Sequence, residues 1–78
     1  MFKHFWQIAR RLHGASAAAI GAERERFLKG ALSAFQYAHG HAVSDYAKGA
    51  CAWHHACVKA ELARGPLDLW QIHSYFER

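Results

Sequence analysis

The chain of 78 residues has one proline and two cysteines, and no acidic residue precedes Glu23. Each scarcity excludes something. Cys51 and Cys57 are too few and too close together for the disulfide framework of a small secreted domain, and no stretch reads as a secretory signal, so a cytoplasmic setting is expected. No apolar run approaches the roughly 20 residues needed to cross a bilayer. Gly14, Gly21, Gly30, Gly40, Gly49 and Gly65 are isolated and none joins a strand to a helix, which removes the glycine-rich phosphate loop. Strand-like alternation, internal repeats and low-complexity tracts are absent as well.

What is present is apolar and small. Hydrophobic residues make up 53% of the chain, with three Trp, five Phe, three Tyr and sixteen Ala. A single domain of this size hides only about 60% of the surface its unfolded chain exposes. Each aromatic can bury roughly 150–250 Å², so a core can form without a staple and some apolar surface is left for an interface. The formal charge of +4 is uneven: residues 1–22 carry Lys3, Arg10 and Arg11, whereas residues 66–78 set Asp68 and Glu77 against Arg78. Seven histidines would more than double the positive charge below about pH 6.

Period and punctuation predict an all-α domain over 1–78, a small bundle of about four helices at 2–13, 22–39, 44–63 and 66–77. In the first, Phe2, Phe5, Trp6, Ile8, Ala9 and Leu12 share a face and Gly14 is the expected terminator. Ser16 is a plausible cap for the second, or that helix begins nearer Glu23 after Gly21; in it Phe27, Leu28, Ala31, Leu32, Phe35 and Ala38 form one stripe. Gly40 is expected to end that helix, and Ser44 or Asp45 to cap the next; a continuous rod over 22–64 is the alternative. The third helix carries two apolar stripes: Tyr46, Ala50, Trp53 and Cys57 on one side, Ala47, Cys51, Val58 and Leu62 on the other. Two apolar faces call for two neighbours, so this helix is expected at the centre of the bundle, in a hairpin with the second, with Trp53 in the core. Gly65-Pro66 then begins the fourth helix, with Asp68 near its positive end and Leu69, Ile72 and Phe76 turned inward.

Cys51, His54, His55 and Cys57 have the chemistry of zinc ligands, but on a helix Cys57 points well away from Cys51, so one ion cannot gather all four. His39, His41 or a second subunit would have to complete a site; the expectation is no metal and no cofactor. A nucleophilic pair of Cys57 and His54 lacks an orienting acid and oxyanion donors, and the carboxylates are scattered, so no catalytic residue is assigned.

Three binding readings remain. Lys3, Arg10 and Arg11, extended by Arg24, Arg26 and Lys29, could meet phosphates, although Glu23 and Glu25 interrupt the set and no helix presents a row of Arg, Asn and Gln to read bases. The aromatic face of the first helix could lie on a membrane, but so short a domain needs Phe2, Phe5 and Trp6 for its core. The reading adopted is a protein-binding module, an adaptor, regulator or inhibitor of a larger partner, in the manner of compact phage or mobile-element inhibitors. Its contact residues are expected among Lys3, Arg10, Arg11, Arg24, Arg26, Tyr37, Trp70 and Tyr75, since aromatic and Arg side chains are enriched at interfaces. A two-fold homodimer is expected too, through alanine-lined surfaces with Trp70 or Phe2 at the edge.

Overall fold

A computed structural model describes residues 1–64, which form three α-helices: α1, Phe2–Ser16; α2, Gly21–His41; and α3, Asp45–Ala63. Among these residues the fold is all-helical. The helix expected at 66–77, with Trp70 and Tyr75, lies outside the described residues.

The helix ends depart from the glycine rule for a physical reason. α1 runs through Gly14 to Ser16, where the Ser16 hydroxyl donates to the His13 carbonyl at 2.6 Å; Ser16 is buried, and it closes this helix instead of capping the next. α2 likewise runs through Gly40 to His41. A helical Gly costs only about 1 kcal/mol relative to Ala, too little to stop α1 two residues before Ser16 or α2 one residue before His41. The glycine that does set a boundary is Gly21: its φ of 63° starts α2 directly after extended Ile20. At the other connection the chain turns at Ala42 and Val43, and the Ser44 hydroxyl accepts from the Ala47 N–H at 3.1 Å, so Ser44 caps α3 as its sequence suggests.

α1 and α2 run antiparallel. Phe5 stacks on Tyr37 and His41 at one end, Trp6 meets Phe35 edge-on, and Leu12 approaches Gly30 farther along. Both α1 and α3 pack along α2, so among the described residues α2 is the central helix, where the sequence suggests α3. Ala9, Leu28, Ala31, Ala34, Phe35 and Val58 form the core, with Trp6, Ile8, Leu12, Leu32 and Leu62 against it. Alanines on α2 keep the neighbours close while Phe35 and Leu28 fill the volume between them.

One of the two predicted stripes of α3 faces this core and the other faces solvent. Cys51 and Val58 are fully buried, whereas Trp53 is 69% exposed and Tyr46 88% exposed. Trp53 is therefore not a core residue. α1 and α2 lie on one side of α3, and the far side meets neither.

Candidate interaction surface

Two places on the described surface concentrate chemistry: the seam where α1 meets α3, and the outer face of α3.

At the seam, His54 stacks on Phe35 with ring centroids 5.2 Å apart and meets Trp6 edge-on at 5.1 Å. Burial lowers its pKa from the ordinary imidazole value, and the positive charges of Arg10 and His13 push the same way. The Arg10 guanidinium lies 5.8 Å from the centre of the Trp6 ring, in cation–π range. His13 Nε2 is 3.1 Å from a Glu61 carboxylate oxygen, so this pair ties α1 to α3 across 48 residues of sequence. Arg10, His13, Gly14 and His54 line a shallow notch over the seam. Sequence reading missed His13 and Glu61 as a pair because periodicity assigns faces and not partners. The available signal was Glu61 itself, a lone acid after Asp45 on a helix whose other charges are Lys48 and Lys59.

The zinc-like set does not converge. Cys51 is buried against α2, its thiol pKa raised by that burial; Cys57 is half-buried toward the outer side of α3, and His54 is occupied by aromatic rings. Among the described residues, no group of three or more His, Cys, Asp or Glu side chains is placed to hold a metal ion. His39 and His55 line a groove between α2 and α3 with Phe35, Gln36, Cys51 and Ala52. None of the described helices is long and apolar enough to cross a membrane.

The basic residues are not gathered into one stripe. Lys3, Arg10, Arg11 and Arg26 are exposed and Arg24 is half-buried. Seven residues bring Lys3 and Arg10 onto nearly the same line of α1, but Arg11 lies ~100° around the helix from Arg10. Arg24 and Arg26 begin α2, which antiparallel packing puts at the opposite end from Lys3. Between them Glu25 pairs with Lys29 at 2.9 Å. Tyr37 is 62% exposed although it stacks on Phe5.

The outer face of α3 is continuous by contrast. Counting ~100° per residue from Trp53, Tyr46, Gly49, Ala50, Ala56, Cys57 and Ala60 all fall within ~60° of it. Tyr46, Gly49, Trp53, Ala56 and Ala60 are exposed, with Ala50 and Cys57 half-buried. Asp45 stands at the N-terminal end of this strip and Arg64 at the other, both exposed. It is an aromatic and small-residue surface ~20 Å long, without a charge along its middle.

Comparison with known proteins adds no relative: no protein-family model, no curated protein and no solved structure matches the chain.

Proposed function

We infer that the protein works by binding a protein surface, as a small helical adaptor, regulator or inhibitor, and that the outer face of α3 is the contact. The observation that carries this reading is the exposure of Trp53 and Tyr46, at 69% and 88%, on one line of a helix whose opposite side is already packed. Exposed Trp and Tyr flanked by small residues suit an interface, because large rigid rings bury much area at little entropic cost. A surface helix with no partner on that side would ordinarily carry charge there.

Nucleic acid is the second reading, favoured by exposed Lys3, Arg10, Arg11 and Arg26 and weakened by their separation. Affinity capture from the native host with the wild-type chain and with Trp53→Ser decides between them. The protein reading expects a partner, identified by mass spectrometry, that is lost with Trp53→Ser while helicity is unchanged. It expects retention through a change from 50 to 200 mM salt, a step that would weaken contact through about six phosphates by on the order of 10³. A salt-labile nucleic acid, or a partner indifferent to Trp53→Ser, would overturn it.

A further inference from the structure

We propose that the occupant of the α3 outer face is a second copy of this chain, its α3 antiparallel to the first about a two-fold axis at Trp53. The proposal rests on the protein-binding reading above and names the partner for that face.

The argument is one of size and charge. An antiparallel pair centred on residue 53 sets Tyr46 of one copy opposite Ala60 of the other, Gly49 opposite Cys57, and Ala50 opposite Ala56. Every large residue of the strip except Trp53 meets a small one. Trp53 sits on the axis, and on its own helix it is surrounded by Gly49, Ala50, Ala56 and Cys57, so each indole has a bed of small side chains to lie over. With these residues at the contact the backbones can approach to the close end of the ~8–10 Å range for packed helices. A parallel pairing would instead set Tyr46 on Tyr46 and leave the small residues at Ala56 and Ala60 facing one another across a gap.

Charge selects the same arrangement. Asp45 and Arg64 mark opposite ends of the strip, and the antiparallel register brings Asp45 of each copy within about one helical turn of Arg64 of the other, twice by symmetry, while Glu61, level with Asp45, lies on the opposite flank of α3 and is paired with His13. A parallel register would bring like charges together at both ends. No charged side chain lies on the strip between those ends to be desolvated. A self-complementary patch of this kind is what a two-fold interface requires, and it differs from the alanine-lined surface edged by Trp70 or Phe2 that the sequence suggested.

Light scattering coupled to size exclusion, on the full chain over a hundredfold dilution, reads the mass directly. Twice the 8.8 kDa chain mass at high concentration is expected, falling to the single-chain mass on dilution. Ala56→Arg, which adds two like charges to the contact, should abolish the dimer with helicity intact. Register is tested by Trp53→Cys in a Cys57→Ser background: residue 53 lies on the axis, so mild oxidation should link two chains. Lys48→Cys in that background, about 140° around α3, should not link them. A single-chain mass at every concentration would overturn the proposal, as would a dimer untouched by Ala56→Arg or linked equally through position 48. A monomer that still captures a foreign protein through Trp53 would leave the protein-binding reading standing. A monomer whose Trp53 becomes more exposed when the chain is cut after Arg64 would assign the face to the chain's own C-terminal residues and sink both.

Discussion

The His54 imidazole lies nearly parallel to the Phe35 ring, with planes 16° apart and centroids 5.2 Å apart, while Trp6 closes its edge. A neutral ring suits that setting. A protonated one must hold its charge against aromatic carbon beside Arg10 and His13, which is why burial first, and these cations second, lower the His54 pKa. The native state therefore binds fewer protons at this site than the unfolded chain. Stability is full above the ordinary imidazole value of about 6.5 and is lost as pH falls through the lower, folded value. Urea midpoints between pH 8 and 5 should decline at the acid end, and His54→Phe should flatten that decline. An unchanged pH profile in His54→Phe would mean that another group controls it.

Truncation should separate the two sides of α3. Phe35→Ala and Leu28→Ala remove fully buried side chains and should cost about 3–5 and 2–5 kcal/mol respectively, a large share of what so small a domain holds. Trp53→Ala, measured at a dilution where the chain is monomeric, should move stability by less than about 1 kcal/mol. The ring gives up little burial in the single chain, and Ala is the better helix former. Thermal denaturation of the three variants checks the order.

Glycine substitutions should split by backbone. Gly40 lies within α2 with ordinary φ and open space where a Cβ would go, so Gly40→Ala should stabilise by about 0.5–1 kcal/mol. Gly21 also has room for a Cβ, but its φ of 63° would force an L side chain into the left-handed region, so Gly21→Ala should destabilise by about 1–2 kcal/mol. Equal effects at the two positions would contradict the α1–α2 connection described here.

Much of this was legible in the residues. The α2 stripe was: Leu28, Ala31, Phe35 and Ala38 are fully buried and Phe27 and Leu32 partly so, because a single clean stripe leaves one way to pack. Ser44 was legible because its side chain acts on a backbone N–H three residues away. α3 was not, since its two stripes are equivalent by period alone. What breaks the tie is that Ala47, Cys51 and Val58 allow close approach to α2, whereas Trp53 and Tyr46 would hold it off. Gly14 and Gly40 misled because local propensity of about 1 kcal/mol yields to tertiary packing. At the seam, His54 stood out by residue type, but its setting between Phe35 and Trp6 depends on helix order, which no local pattern encodes.

The His13–Glu61 pair joins α1 and α3, two helices that otherwise rest mainly on α2, so its value should appear as coupling and not as bulk stability. The side chains are 24% and 33% exposed, which keeps the pair partly screened and its worth near that of surface ion pairs. A double-mutant cycle of His13→Ala and Glu61→Ala at pH 6 should return a coupling of about 0.5–1 kcal/mol, shrinking as salt rises to 1 M. The single variants should leave helicity intact, since neither side chain belongs to the core cluster. Amide exchange should quicken in the last turns of α1 before it changes in α2, because this contact restrains the α1 end against α3. A coupling near zero in low salt would mean that the 3.1 Å contact adds nothing to the docking of α1, leaving Trp6 and Leu12 to hold that helix through packing alone.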